Sequence, residues 1–154
     1  MKVLGVRCST KEIRYAILEK KGNNIVFINK DSENRLIFPQ NIQEIEEKLK
    51  WCKTEINRIL RQNEGISYVV IKVNEYTRGE NLAKREGAYM DGVVMLTTHE
   101  HNIAVSKKLY NQIEANSSNI LKLAESINGR TDKYWNKGMA DAIQCAAFTL
   151  RGMK

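Results

Sequence analysis

Apolar and charged residues alternate along the first thirty positions, and two segments rich in turn-forming residues interrupt the alternation. The pattern predicts three short strands at 2–8, 12–19 and 25–28, with turns at 9–11 and at the Gly/Asn segment 20–24. The first two strands carry apolar residues on both faces, as in Val3-Leu4 and in Ala16-Ile17-Leu18. The sequence therefore predicts an antiparallel meander in a sheet that is covered on both sides.

Beyond Pro39 the apolar residues recur at steps of three and four, which is the period of an amphipathic helix. They are Ile42, Ile45, Leu49, Cys52, Ile56, Ile59 and Leu60. Asn41 is the predicted N-cap, with Glu44 three residues later as in a capping box. After Gly65 the segment 66–73 has the density of β-branched residues that is typical of a buried parallel strand.

The second half of the chain alternates between helical and extended patterns. It predicts helices at 80–95, 106–113, 116–126 and 136–150 and a short strand at 102–105. The last helix has Ala140, Ile143, Ala147 and Leu150 on one face, so we expect it to dock on the sheet. The element order predicts an α/β fold with a mixed sheet, formed by one domain over 1–154.

Composition supports a single folded domain, since the chain has 154 residues, 42% of them hydrophobic, and only one Pro. Its apolar runs are far shorter than the roughly 18 residues of a membrane-spanning helix, so no membrane partner is expected. The start MKVLGVRC lacks the apolar segment of a secretory signal. We therefore expect a cytoplasmic protein whose three cysteines, Cys8, Cys52 and Cys145, are reduced core residues.

The chain is basic, with 25 Lys and Arg against 18 Asp and Glu and a net charge of +7. This excess favours an anionic partner such as nucleic acid, although many domains of this size are equally basic for solubility. Because the excess is spread evenly along the chain, any binding surface has to be assembled by folding. The glycine-rich and nucleophile motifs of nucleotide-binding proteins and hydrolases are absent, so no nucleotide cofactor is expected.

Three segments resemble the RNase H-like superfamily and, within it, the Holliday-junction resolvases of the RuvC type: MKVLGVRCS, YVVIKVNEY and MADAIQCAA. The resemblance implies an RNase H-like mixed sheet, in which a three-strand antiparallel meander is followed by parallel strands and flanked by helices. It also implies a site in which the first strand presents an Asp, the fourth strand ends in a Glu and the last helix presents an Asp. Such acids bind two divalent metal ions that hydrolyse a phosphodiester.

This chain departs from that pattern at two of the three positions. Arg7 replaces the first Asp and Val73 replaces the Glu, whereas Asp141 matches the Asp of the last helix. An arginine cannot bind Mg²⁺ and repels it, so the resemblance implies a degenerate nuclease site. Glu75, two residues beyond Val73, is a substitute acid if the alignment shifts.

Arg7 is predicted to pair with Asp141, because a lone buried carboxylate is costly. The alternative is that Asp141 lies in the first turns of its helix, where the helix dipole favours an acid, while Arg7 faces solvent.

Several basic residues lie near predicted strand ends and near the last helix, the parts that approach the nucleic-acid backbone in the resembled fold. They are Arg78, Lys84, Arg85, Lys107, Lys108, Arg130, Lys133 and Lys137. Beside them, Tyr134 and Trp135 either stack on a base or anchor the last helix to the core, and the anchoring role is favoured for Trp135. His99 and His101 have a spacing that could present two metal ligands or an acid/base pair, but a surface loop is favoured for them.

Three hypotheses follow for function. The first, favoured by Arg7, is a non-catalytic RuvC-like module that binds nucleic acid or a partner protein within a larger complex and needs no cofactor. The second is an active nuclease that uses Asp141 and Glu75, with Glu100 or Asp91 as a further ligand and Mg²⁺ or Mn²⁺ as cofactor. The third is a self-associating scaffold or homodimer, in which the exposed face of the long helix presents Trp51.

Overall fold

The computed structural model describes residues 1–153 as an α/β fold. The strands are β1 (Lys2–Cys8), β2 (Glu12–Lys21), β3 (Asn24–Phe27), β4 (Arg35–Ile37), β5 (Ile66–Lys72) and β6 (Ala104–Lys108). The helices are α1 (Ile45–Gln62), α2 (Leu82–Glu100), α3 (Ile120–Asn128) and α4 (Lys137–Gly152), and a 3₁₀ turn spans Tyr110–Ile113.

The six strands form one mixed sheet in the order β3-β2-β1-β5-β6, with β4 paired to β2. β1 runs antiparallel to β2 and parallel to β5, and β5 runs parallel to β6. The predicted meander and the predicted parallel strands are therefore both confirmed.

Apolar residues fill both faces of the sheet, as the sequence of β1 requires. Leu4 and Val6 pack on the face that α1 and α2 cover, whereas Val3 packs on the face that α3 and α4 cover. Gly5 lies where α4 crosses β1, and an ideal Cβ there would be 2.0 Å from the carbonyl oxygen of Ala142. Only glycine allows this approach, which brings the first turns of α4 against the end of β1.

Several boundaries differ from the predictions, and in two cases a local turn or strand pairing overrides the sequence pattern. The long helix begins at Ile45, not near Asn41, since the N–H of Ile42 donates to the Pro39 carbonyl in a turn. β6 continues to Lys108, where a helix was predicted, because β5 offers it a parallel ladder along its whole length. β4 was not predicted, and its three residues pair with the first half of β2.

α2 is longer than predicted and ends at Glu100, so His99 lies in its last turn and His101 is its C-cap residue. The prediction of a surface loop at these histidines is therefore wrong. His101 is held in place, because its Nε2 lies 2.7 Å from Oδ1 of Asn57 on α1.

Trp51 is not exposed as an interface residue, and that prediction is also wrong. Its ring packs against Phe38 with 4.9 Å between the ring centroids and lies against the core under α1. All three cysteines are buried and unpaired, as predicted. None of the helices within residues 1–153 combines the length and the hydropathy that crossing a bilayer requires.

Candidate functional site

The predicted ion pair between Arg7 and Asp141 is present where β1 ends against α4. Arg7 Nε lies 3.0 Å from Asp141 Oδ2, and the other Asp141 oxygen accepts a 2.8 Å hydrogen bond from the Tyr110 hydroxyl. The guanidinium also donates to the Lys72 carbonyl at 3.1 Å and to Asn74 Oδ1 at 2.9 Å. Arg7 is thus held by α4, by the last residue of β5 and by the loop that follows it, while Asp141 is only 2% exposed.

Lys72 is a second cation of this site, and the sequence analysis missed it. It is the last residue of β5 and is 1% exposed. Its ammonium group donates to the Val73 carbonyl at 2.6 Å, lies 3.0 Å from Glu75 Oε1 and lies 3.9 Å from the centre of the Tyr110 ring. A lysine inside the apolar run VVIKV was the signal that could have found it, because buried lysines are rare.

Val73 does not face the site. Its side chain packs with the core on the α1 and α2 side of the sheet, because neighbouring residues of an extended chain point to opposite faces. The residue at the end of β5 that faces Asp141 is Lys72, so the position we assigned to Val73 belongs to Lys72. Glu75 lies beyond the strand and is bound by Lys72 and by the Tyr110 N–H at 2.8 Å.

The electrostatics of the site follow from burial and from these two cations. Burial raises the pKa of Asp141 above its ordinary value, and Arg7 only partly offsets this rise. For Glu75 slight burial raises the pKa, but the N–H of Tyr110 and the ammonium of Lys72 outweigh it and lower the pKa overall. Burial and the nearby Asp141 raise the pKa of the Tyr110 hydroxyl, which stays protonated and donates to that carboxylate.

The residues of this site do not fit the divalent metal ions that the resembled fold implies. The Arg7 guanidinium lies 3.0 Å from Asp141, and the other carboxylate of the site, Glu75, is bound by Lys72. Within residues 1–153 no three His, Cys, Asp or Glu side chains are grouped closely enough to hold a metal ion. Two fixed positive charges beside one carboxylate repel a divalent cation.

Register places cations side by side across the end of the sheet. Arg35 pairs with Arg14, Arg14 pairs with Arg7, and Lys72 pairs with Lys108. The pairing of β1 with β5 reaches Val6 and Ile71, so Arg7 and Lys72 are also neighbours. These five residues, Arg35, Arg14, Arg7, Lys72 and Lys108, are called the cationic row below. Arg14 and Lys72 are buried in it, whereas Arg7 and Arg35 remain partly exposed.

The fold brings three of the predicted basic residues together. Arg78, Lys84 and Lys107 line one cavity of about 550 Å³ between the β5–α2 loop, α2 and β6. Lys84 also lines a neighbouring cavity of about 200 Å³, and Arg7 lies in the wall of that second cavity. The uncharged polar residues of its lining are Ser9, Thr10, Asn74 and Asn81.

Of the other predicted basic residues, Lys108 belongs to the cationic row, and the remaining four lie outside these two cavities. Arg85 is engaged by Glu80 at 2.9 Å, and Arg130 lies 3.1 Å from Glu125. Lys133 lines a separate cavity of about 420 Å³ that includes Arg35 and Tyr134, and Lys137 is exposed at the start of α4.

The aromatic pair before α4 divides into two roles. Trp135 is partly buried and packs against the core on the α4 side, as an anchor of the helix does. Tyr134 is 59% exposed, and the Arg35 guanidinium lies 4.1 Å from the centre of its ring. Tyr134 adopts a positive φ of 58°, and its carbonyl accepts a hydrogen bond from Arg14.

The two further acids that the nuclease hypothesis considered do not form a group of three metal ligands with Asp141 within residues 1–153. Asp91 lies on α2, on the opposite side of the sheet, close to Cys8. Glu100 ends α2 and pairs with Lys53 at 3.2 Å. The structure therefore brings together Arg7, Asp141 and Glu75. Asp91 lines one cavity with Glu75, whereas Glu100 lies at the C-terminal end of α2.

Comparison with known proteins supplies the fold family. No protein-family model matches the chain, and no curated protein matches it. Among solved structures, Thermus thermophilus RuvC superposes with a TM-score of 0.76 over 98% of this chain and 96% of RuvC, at 15% identity. The chain has a RuvC-like RNase H fold.

Two further structures of this fold contain DNA. The T. thermophilus RuvC complex with a Holliday junction substrate matches with a TM-score of 0.77 at 15% identity, covering 98% of this chain and 95% of that one. The fowlpox virus resolvase complex with Holliday junction DNA matches with a TM-score of 0.62 at 12% identity, covering 98% and 97%. The similarity to RuvC thus extends over the whole described fold.

Proposed function

We propose that this chain is a non-catalytic RuvC-like module that binds the backbone of branched DNA without a metal ion. The observation that carries the proposal is the Arg7 guanidinium bound to Asp141, with the Lys72 ammonium beside it. In a two-metal nuclease, cations at such a site are exchangeable ions that activate water. Side-chain cations carry no water to activate, but they attract phosphate.

Charge and shape support a phosphate-binding role for the surface next to this site. Arg7 and Lys84 face one small cavity whose other lining groups include the Thr10 hydroxyl and the Asn81 side-chain amide, which are of the kind that donate hydrogen bonds to phosphate oxygens. Arg78 and Lys107 line the neighbouring cavity, and two acids of the same lining, Glu75 and Glu80, are paired with Lys72 and Arg85. Both cations are therefore available to a phosphate. A nucleic-acid backbone that crosses both cavities meets four cations in succession.

Branched DNA is the first candidate partner because of the structural neighbours. RuvC and the fowlpox resolvase were both solved with Holliday junction DNA, and both share the fold over nearly their whole length. Backbone recognition does not require the acids that cleave, so a chain with this surface retains a basis for junction binding.

The test is a titration of the purified protein against a four-way junction, duplex DNA, single-stranded DNA and an RNA–DNA hybrid. Each titration is run with EDTA, with Mg²⁺ and with Mn²⁺, and binding and cleavage are read from the same gel. We expect binding in EDTA that weakens steeply with salt, and no cleavage with either metal.

Asp141→Asn is the control that separates this proposal from the nuclease hypothesis. Cleavage by the wild type that disappears in this variant would show that Asp141 and Glu75 act as metal ligands, and would refute the proposal. Absence of binding to every nucleic acid would also refute it and would direct the search to a protein partner.

We also propose that the chain self-associates, through α2 and not through the helix that carries Trp51. Leu82, Tyr89 and Leu96 follow each other at intervals of seven residues and are 71%, 46% and 55% exposed. Such spacing puts them along one side of the helix, where two copies of α2 would cover each other's apolar side chains. Sedimentation of the protein across a concentration series tests this, and a monomer at all concentrations would contradict it.

A further inference from the structure

The cavity lined by Arg78, Lys84 and Lys107 contains a carboxyl group that the proposed backbone contacts do not use. Asp91 of α2 lines this cavity and is only 5% exposed. Among the described residues, its Oδ1 atom has no hydrogen-bond partner. The thiol of Cys8, a weak donor, lies beside this carboxyl group, so Oδ1 has no strong donor among these residues. A buried acceptor in this position calls for a ligand, an ion or a water molecule as its partner.

The walls of this cavity are of three kinds. Val73, Ala88 and Met95 give it an apolar side, and its volume of about 550 Å³ lies in the range of small-ligand sites. The three cations share the lining with Glu75 and Glu80, whose carboxylates are paired with Lys72 and Arg85, and Asp91 supplies a further acceptor. Together these groups suit a flat apolar ring that carries a hydrogen-bond donor and is attached to a phosphate.

We propose that this cavity binds a single unpaired nucleobase with an exocyclic amino group, which donates a hydrogen bond to the Asp91 carboxyl group. The ring packs against the apolar side, and the phosphate attached to the base lies against the cations. This inference rests on the proposed nucleic-acid binding when the base belongs to a DNA strand. A free nucleotide offers the same chemistry, so the experiment includes both.

The first arm of the test measures fluorescence anisotropy with labelled oligothymidylate, since thymine has no exocyclic amino group. One central position carries guanine, hypoxanthine, which is guanine without its amino group, or an abasic site. We expect the guanine strand to bind about three- to tenfold more tightly than the hypoxanthine strand, the range of one hydrogen bond to a buried acceptor.

Two variants test whether the preference for the guanine strand arises at Asp91. Asp91→Ala is expected to bind guanine and hypoxanthine strands equally, while its affinity for the abasic strand stays as in the wild type. Glu86→Ala removes a carboxylate from the same helix outside the cavity and is expected to keep the preference for guanine. Unchanged binding of the abasic strand shows that Asp91→Ala is folded, and the comparison of bases in the wild type needs no variant.

The second arm titrates guanosine monophosphate and inosine monophosphate by calorimetry. Equal affinity of the wild type for the guanine, hypoxanthine and abasic strands overturns the inference and leaves the proposed backbone binding intact. If no oligonucleotide binds, the proposed function fails, and the inference is then tested by the calorimetric titrations of the two nucleotides alone. Binding of guanosine monophosphate but not inosine monophosphate then supports the cavity as a site for an amino-bearing base, and binding of neither overturns it.

Discussion

Removal of the Arg7 side chain is the most informative perturbation, because it leaves Asp141 buried with a negative charge. Breaking a buried ion pair by removing one partner typically costs 3–5 kcal/mol. Arg7 is itself 21% exposed, so water replaces part of its contribution, and we expect Arg7→Met to cost about 3 kcal/mol. In a chain of 154 residues this corresponds to a fall in Tm of roughly 6–12 °C.

The reverse substitution is expected to cost less. In Asp141→Asn the guanidinium keeps its hydrogen bonds to the Lys72 carbonyl and to Asn74 and is still partly in contact with water. Asp141→Asn is therefore expected to lower the free energy of unfolding by about 1 kcal/mol, the net value of one hydrogen bond. Adding Asp141→Asn to Arg7→Met is expected to restore about 2 kcal/mol, because it removes the unpaired buried charge.

The stability deficit of Arg7→Met depends on pH in a defined direction. Loss of Arg7 removes the strongest influence that lowers the pKa of Asp141, so burial raises that pKa further above its unfolded value of about 3.9. The folded variant then binds a proton more readily than the unfolded chain. The loss of unfolding free energy relative to the wild type is therefore largest above the raised pKa and becomes smaller as the pH falls through that pKa.

Urea unfolding followed by circular dichroism, at pH 8 and pH 5, measures both effects. Arg85→Met is the matched control, since Arg85 pairs with Glu80 in solvent, and its unfolding midpoint should stay that of the wild type. Equal costs for Arg7→Met and Asp141→Asn, or a deficit that is the same at both pH values, would refute the reasoning that Asp141 is a buried charge held by Arg7.

Three further predictions concern packing, binding and assembly. Gly5→Ala places a methyl group against the Ala142 carbonyl and should cost roughly 3 kcal/mol in urea unfolding, and a loss below 1 kcal/mol would show that α4 can shift. Lys107→Gln should weaken junction binding and reduce the slope of log affinity against log salt by about one, whereas an unchanged slope excludes a phosphate contact there. Leu96→Glu should make the protein monomeric in sedimentation experiments, while Ile37→Glu, an equally exposed site on β4, should not.

The sequence determined the fold class and the character of the site. Alternation along the first strands and the β-branched run of β5 specify a sheet covered on both faces, because side chains of a strand point alternately to its two sides. The resemblance to the RuvC-type resolvases placed positions 7 and 141 in one site, and a buried carboxylate requires a partner, so the Arg7–Asp141 ion pair could be predicted. The residue types at these positions therefore indicated an ion pair in place of a metal site.

Tertiary structure decided the remaining features, which depend on register and on contacts between distant segments. Lys72 and Val73 differ only in the face of the sheet to which they point, and only the end of β5 fixes which of them meets Asp141. The cationic row exists because five strands align their ends, and the cavity at Asp91 exists because α2 packs beside β6. Hydrophobic periodicity along the chain identifies each helix or strand, but it does not determine which elements lie next to each other. These features therefore arise only when the sheet is assembled.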